Sequence, residues 1–534
     1  MIGYNKINSI WEENDMKKLT ALILALAMML ALAACTGGGN NDDGSRFAGI
    51  DPTAPLTKDD VIDFMVESSA SWPIRDDWKI WEYMAEGSGA TLNLIAVPAS
   101  DAATKYLLMF AAPDELPDVI GFGMSTTHSK YAGEGLIAFD DLSQFMPNYN
   151  AWIESLTEEQ YNVAVKPRKR ADGKVYYTPG SGREGKTRMR AWLYREDIFK
   201  KHNLKAPETF DELYDVCKQL KALYPDSYPF CTRSMSYMFD IPGSSFDKWW
   251  SHLAYYDQDD GEWRWGAIED TAIEVVSFYK KMIEEKLMPA DTHNLNNTTW
   301  EEFMLTDKGF ILPHLQLRID YFNQLAHQAG NTEYKIQAFA PPVANPEKGA
   351  AMIERGDLEM IGFSICDSGD DQKIANAAKF IDWMYTDQGM EYVSWGKEGE
   401  TYEVVDGKKK FITDDKQTPP NTMYGFQLYG TFCRLDPAAA EAMQSETTLE
   451  SEDLVIAHTL PEYPVTLWLD YNDEEQAVID TYLSGIQTYS EEMLIKFVLG
   501  QEPISKFDEF VENLKSMGLD EVLAAYESAY NRVK

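Results

Sequence analysis

Aromatic and arginine side chains are where this sequence concentrates its chemistry. Trp72-Pro73, with Ser69, Ser71, Arg75 and Asp76 around it, follows directly on an apolar run. Trp249, Trp250, Tyr255 and Tyr256 form one cluster, Trp263 and Trp265 another, and Trp300, Tyr321 and Trp395 stand further apart. Pyranose rings expose patches of C–H that stack on aromatic faces, while their hydroxyls need carboxylates, amides and guanidinium groups. His314 and Arg318 stand at i, i+4 in Phe310-Ile-Leu-Pro-His-Leu-Gln-Leu-Arg318 and are expected on one face just after a short strand. An arginine there can bridge two adjacent hydroxyls or a uronate carboxylate, or close an internal salt bridge. Most tryptophans are core residues. Trp78 and Trp81, three apart at helical spacing, are assigned to the core, and Trp72 departs most from that pattern.

The hydrolase motifs GxSxG and HExxH are absent. Gly87-Ser-Gly89 follows a helix and reads as its cap. Asp257-Gln-Asp-Asp-Gly261-Glu262 has its glycine at the fifth place, where a calcium loop needs it sixth, and Ile268 at the twelfth, where that loop needs Glu. It reads as a hairpin turn before Trp263-Arg264-Trp265. Cys217, Cys231, Cys366 and Cys433 form no CxxC or zinc-like spacing, so neither a metal nor a cofactor is expected. A Cys217–Cys231 disulfide stays open beside four buried thiols.

The formal net charge is −39. Such a surface repels phosphate backbones, which excludes nucleic acid as a partner. Acidity of this size can mark disorder, but 44% hydrophobic and 13% aromatic residues require packed cores. With 534 residues, more than one core is expected.

The elements that must position these side chains follow an alternating pattern. Strands are expected at 60–68, 91–97 and 118–122, with helices at 77–86 and 101–112 between them, a parallel α/β unit with right-handed crossovers. Further helices are expected at 209–223, opened by a capping box in Thr209-Phe-Asp-Glu212, and at 268–286 and 370–386. A strand is expected at 334–340, and three helices at 474–500, 505–517 and 520–534.

Met16–Cys35, MKKLTALILALAMMLALAAC, has a basic opening, an apolar run and small residues before a cysteine, the order of a secretory signal. Translation is expected to start at Met16, since Glu12, Glu13 and Asp15 suit neither a signal nor a fold. The apolar run is slightly short for a span of roughly 20 residues. Leu32-Ala33-Ala34-Cys35 resembles a bacterial lipobox, which implies a lipid on Cys35 and cleavage after Ala34. Thr36 to about Leu56, rich in Gly, Asn, Asp and Pro, is then a flexible tether between membrane and body.

The whole chain resembles the extracellular solute-binding lipoproteins of carbohydrate ABC importers, in the long branch related to alginate- and oligosaccharide-binding proteins. The resemblance is carried by Lys105-Tyr-Leu-Leu-Met-Phe-Ala-Ala with Leu116-Pro-Asp-Val-Ile120, Ala171-Asp-Gly-Lys-Val-Tyr-Tyr-Thr-Pro179, and Trp192-Leu-Tyr-Arg-Glu-Asp-Ile-Phe199 with Leu204–Leu213. Trp395-Gly-Lys-Glu-Gly-Glu-Thr-Tyr402, Lys496-Phe-Val-Leu-Gly, Gly518-Leu-Asp and Ala529-Tyr-Asn-Arg532 complete it. It implies a two-lobed periplasmic-binding-protein-like fold of type II, α/β, with crossover hinge strands near Tyr176–Pro179 and Glu359–Phe363. By analogy, residues 1–34 are extension and signal, 35–57 the lipidated tether, 58–178 plus 360–396 lobe one, and 179–359 plus 397–534 lobe two. Relatives of the alginate-binding type carry a calcium loop after the helix matching 209–223. Here that place reads Tyr224-Pro-Asp-Ser-Tyr-Pro-Phe230, with one carboxylate, and no calcium is expected.

The implied function is a monomeric, membrane-anchored receptor on the extracytoplasmic face. It would bind an oligosaccharide between closing lobes and deliver it to the transmembrane subunits of an ABC importer. Trp72, Trp192, Trp249, Trp250, Trp265, His314, Arg318 and Trp395 are expected to line the cleft, with Glu398 accepting from hydroxyls and no catalytic residue. The alternatives are a receptor for a non-carbohydrate solute such as a peptide, or a surface-anchored glycoside hydrolase, which would need two carboxylates about 5–9.5 Å apart across a cleft.

Overall fold

A computed structural model of the chain describes residues 46–533 apart from 69–72, 113–114, 122–130, 171, 181–189, 355–361, 415–417, 427–432, 462–468 and 470. The chain divides into two units at Ile50/Asp51, and the architecture below is that of Asp51 onward. The expected signal and lipid-attachment stretch Met16–Cys35, and Trp72 with Ser69 and Ser71, lie outside the described residues. Among the described residues no helix is long and apolar enough to cross a membrane.

Strand β1 (Val61–Ser68) opens the first sheet with Ile62, Phe64, Met65 and Val66 buried. A near-continuous apolar run of this kind belongs to a strand covered on both faces. Helix α1 (Lys79–Ser88) buries Ile80, Trp81, Tyr83 and Met84. It ends at Gly89, whose φ of 85° favours glycine and whose N–H donates to the Ala85 carbonyl. Then come β2 (Thr91–Pro98), α2 (Ala99–Phe110), β3 (Val119–Gly121) and β4 (Leu136–Ile137). β1 pairs in parallel with both β2 and β3, so the alternating pattern at 60–122 forms the expected βαβ unit.

The chain then builds a second body. Its elements are β5 (Arg190–Arg195), α3 (Phe210–Leu223), α4 (Met235–Gly243), the hairpin β6 (Ala254–Asp257) and β7 (Glu262–Trp265), α5 (Asp270–Glu284), α6 (Asn297–Leu305), β8 (Ile311–Leu315), α7 (Arg318–Gln328), β9 (Ile336–Phe339) and β10 (Met352–Glu354). β5 is central in a three-stranded sheet, antiparallel to both β8 and β9. The β6–β7 connection is the expected hairpin turn: Asp257 Oδ1 accepts from the N–H groups of Asp259 and Asp260, and Gly261 takes a φ of 75°. The expected capping box at α3 is half formed. Thr209 Oγ1 accepts from the Glu212 N–H, but the Glu212 carboxylate turns back to the Glu208 N–H at 2.8 Å and leaves that of Thr209. Cys217, Cys231, Cys366 and Cys433 are buried, and Cys217 and Cys231 form no bridge.

β11 (Phe363–Cys366) then returns to the first sheet. It lies antiparallel between β3 and β4, giving the order β2-β1-β3-β11-β4. Where the chain leaves that sheet it touches its own return: the Thr178 N–H donates to the Phe363 carbonyl, and the Phe363 N–H to Thr178 Oγ1, both at 2.9 Å. α8 (Asp371–Trp383) and α9 (Asp387–Ser394) pack on this sheet and on α1, followed by the hairpin β12 (Tyr402–Val405) and β13 (Lys408–Phe411). The Tyr83 hydroxyl donates to Glu400, Trp78 Nε1 to the Thr422 carbonyl, and Arg434 to the Tyr385 carbonyl. These bonds join Glu400, Thr422 and Arg434 to α1 and to the residues just after α8.

α10 (Glu446–His458) lies over β9, where Ser451 Oγ accepts from the Ala338 N–H, and β14 (Thr459–Pro461) pairs with β10. α11 (Ser484–Val498), α12 (Phe507–Ser516) and α13 (Leu519–Val533) complete the second body against α5 and β7. Arg532 on α13 pairs with Glu475, which also caps its own helix by accepting from the Asn472 N–H. The Arg532 hydrogen bond brings the Glu475 carboxyl down to about 2. Its folded pKa lies below its unfolded one, so the pair's contribution is present above about pH 4.5 and fades as pH falls toward 2. Glu475→Gln is expected to lose about 1 kcal/mol at neutral pH, because Arg532 stays in contact with solvent. The wild-type and variant denaturation curves should converge near pH 2; a pH-independent difference would assign the effect to packing.

Candidate functional site

The carboxyl ends of β8 and β9 and the amino end of β5 lie on one edge of the three-stranded sheet, with Arg190 opposite Leu315 and Trp192 opposite both Pro313 and Phe339. In open α/β sheets, the crevice outside the carboxyl ends of strands is where ligands bind. His314 is the penultimate residue of β8, and here the fold gathers what the sequence scatters. The imidazole is sandwiched between Tyr237 of α4 and Trp300 of α6, with centroids 3.9 and 4.7 Å away. The Arg318 guanidinium, at the start of α7, lies over Trp300 at 5.2 Å and over Tyr321 at 4.6 Å. The Arg233 guanidinium lies 5.5 Å from Trp300 and 5.6 Å from Tyr237.

Hydrogen bonding fixes the state of this cluster. The Leu315 N–H donates to His314 Nδ1 at 2.8 Å, so that nitrogen carries no proton. Burial, then Arg318, Arg233 and Arg190, hold the imidazole pKa well below its ordinary value. A neutral ring with bare Nδ1 carries its proton on Nε2, and Nε2 has no acceptor although His314 is 1% exposed. Arg318 pairs with Glu301 at 3.0 Å, and Glu301 also accepts from the Tyr321 hydroxyl at 2.8 Å. Arg190 lies 3.6 Å from Asp240. Arg233 has no carboxylate within ion-pair distance among the described residues, and its Nε is buried without an acceptor. The residue after it, Ser234, takes a φ of 55°, a conformation that L side chains rarely adopt.

The described tryptophans expected in the cleft are not part of this cluster. Trp192, Trp250 and Trp265 are completely buried, and Trp395 is 2% exposed, so none offers a face to a ligand. Trp192 lies on the central strand, with Phe210 and Phe339 meeting it edge-on. Trp250 Nε1 donates to the Gly266 carbonyl, Trp265 Nε1 to Ser490 Oγ and Trp395 Nε1 to Asp436, the partners a buried indole requires. Trp249 is half-buried beneath Lys248 and borders the same core. Glu398 is exposed beside Tyr402 in the first body. His314 and Arg318 do meet, although not on one helix: the first is next to last in a strand and the second begins a helix. The internal salt bridge weighed for Arg318 exists, with Glu301. Sequence reasoning missed Arg190, Arg233, Tyr237 and Glu301. The i, i+3 pair Arg318/Tyr321 was the signal that could have pointed to α7.

Bacterial extracellular solute-binding proteins share a sequence model that matches residues 74–391. The chain belongs to that family. Its members are solute-binding receptors and not enzymes. Lipoprotein LipO of Bacillus subtilis (strain 168) is 20% identical over 97% of this chain and 99% of its own. The polygalacturonan/rhamnogalacturonan-binding protein YtcQ of the same organism is 21% identical over 97% and 99%. The crystal structure of alginate-binding protein AlgQ2 without calcium ion superposes with a TM-score of 0.70 at 22% identity, covering 90% of this chain and 98% of that one. The two-lobed α/β fold of this solute-binding family therefore extends over the body of the chain.

Proposed function

We propose that this protein is a lipid-anchored extracytoplasmic receptor that binds an oligosaccharide between two closing lobes and hands it to the transmembrane subunits of an ABC importer. The observation that carries the reading is the Tyr237–His314–Trp300 stack, rimmed by Arg190, Arg233 and Arg318, at the carboxyl edge of the second sheet. Aromatic faces and forked N–H donors are the two things a pyranose requires of a site. The carbohydrate-binding names of YtcQ and AlgQ2 support the ligand class. The name of LipO and the lipobox ending at Cys35 support the anchor. Trp72, four residues beyond β1 in sequence, is proposed as the contact from the first body.

A thermal-shift screen of the full-length chain in mild detergent, against neutral and uronate oligosaccharides with the products analysed, tests this. Ligand at 100-fold its Kd is expected to stabilise the folded state by about 2.7 kcal/mol, with every glycan recovered intact. Trp72→Ala should abolish the shift and leave the apo melting temperature unchanged. An unaltered shift in that variant removes Trp72 from the site, and shortened glycans would make the protein a hydrolase.

A further inference from the structure

We infer that Arg233 and His314 form a carboxylate subsite, so that the oligosaccharide bound here carries a uronic acid. The inference rests on the receptor reading above and assigns its ligand a charge. Three guanidinium groups act on His314, in a chain whose formal net charge is −39. Two of the three have a carboxylate nearby: Arg318 has Glu301 and Arg190 has Asp240. Among the described residues Arg233 has no carboxylate within ion-pair distance, in a protein with 87 acidic residues. It is held between Tyr237 and Trp300, which contribute π faces and no formal charge. Burial, reinforced by the nearby Arg318, lowers its pKa from the ordinary arginine value, against the opposing influence of Tyr237 and of Glu301, which lies beyond ion-pair distance.

His314 supplies the second, independent observation. Its Nε2–H is a donor without an acceptor in an almost fully buried ring, against the same two aromatic residues. Leaving a buried donor unmade costs free energy that a ligand oxygen recovers. A carboxylate has two acceptor oxygens in one plane, which matches the fork of Arg233 and leaves lone pairs for the imidazole N–H. A neutral hydroxyl presents one acceptor oxygen to the fork and brings no charge to balance the guanidinium. Glu301 acts on Arg233 only from beyond ion-pair distance, its two oxygens accepting from Arg318 and from the Tyr321 hydroxyl.

The test is isothermal titration of the full-length chain in detergent with oligogalacturonates and with their carboxyl-reduced counterparts of equal length and linkage. Wild type is expected to bind the acidic series at least about tenfold more tightly, as a charge-assisted hydrogen bond implies. Arg233→Gln should lose that preference, and Arg233→Lys should keep part of it. Equal or better binding of the reduced series by wild type overturns the subsite and leaves the receptor reading standing. Binding of neither series by wild type removes both. Should Arg233→Gln fail to fold, His314→Gln and the salt dependence of the wild-type preference carry the same decision: a preference untouched by the variant or by salt rejects the subsite.

Discussion

Trp265→Ala should lower the free energy of unfolding by about 3–5 kcal/mol, the largest loss expected from one substitution in this chain. The indole ends β7 with no exposure, and its Nε1 donates at 2.9 Å to the fully buried Ser490 of α11. Truncation opens a cavity and also strips that hydroxyl of its donor, which adds about 1–3 kcal/mol where no water enters. Beside it, Trp250 wedges against the backbone of Gly243, and the Ser251 carbonyl stands where a side chain at Gly266 would begin. The surroundings therefore have little freedom to collapse into the hole. Denaturant titration checks this, and Trp265→Phe should recover most of the loss. Affinity per folded molecule should not change. A loss below about 1 kcal/mol would return Trp265 to the list of ligand contacts.

The second large effect is expected at Asp240, which is 4% exposed in α4. Its carboxylate accepts from Ser236 and Ser251 hydroxyls at 2.9 and 2.8 Å and from the His252 N–H and Nδ1 at 3.2 and 2.7 Å, and it lies 3.6 Å from Arg190. Asp240→Ala removes the anion around which these groups are arranged. Breaking a buried, hydrogen-bonded charge set of this kind costs about 3–5 kcal/mol, because the partners stay buried without it. Asp240→Asn keeps the shape and should cost less. Since Arg190 borders the proposed ligand edge, Asp240→Ala is also expected to weaken glycan binding in the molecules that remain folded. Equilibrium denaturation and titration on the same preparation separate the two losses. A variant as stable as wild type would show that solvent already reaches the Asp240 carboxylate.

The fold was legible where local chemistry repeats itself. Trp78 and Trp81 announced α1, the Thr209 side chain announced the start of α3, and Asp257 with Gly261 announced the hairpin. The site was less so, for a physical reason. β5 has a strand on each side, and its residues Ala191, Trp192 and Leu193 are all buried, so no alternation marks which ring faces a ligand. An aromatic in such a strand reads the same whether it builds core or cleft. The residues that do gather around His314 come from α4, α6 and α7 and from the turn before α4, and only packing brings them together. Arg233 has no neighbour in sequence that gives it meaning. Among the described residues no carboxylate pairs with it, and a missing contact leaves no trace in a sequence.

The position of β11 also governs how this chain can be made. Until Phe363–Cys366 emerges, β3 has a row of unpaired N–H and C=O groups on one side, and β4 has no strand to bond. A half-synthesised chain thus carries an open template for joining another copy of itself. Completing the first sheet must wait for more than two hundred further residues. Fragments cut short within β5–β10 are the forms of this protein that should clump, and whatever guards the growing chain must hold it until that late strand arrives.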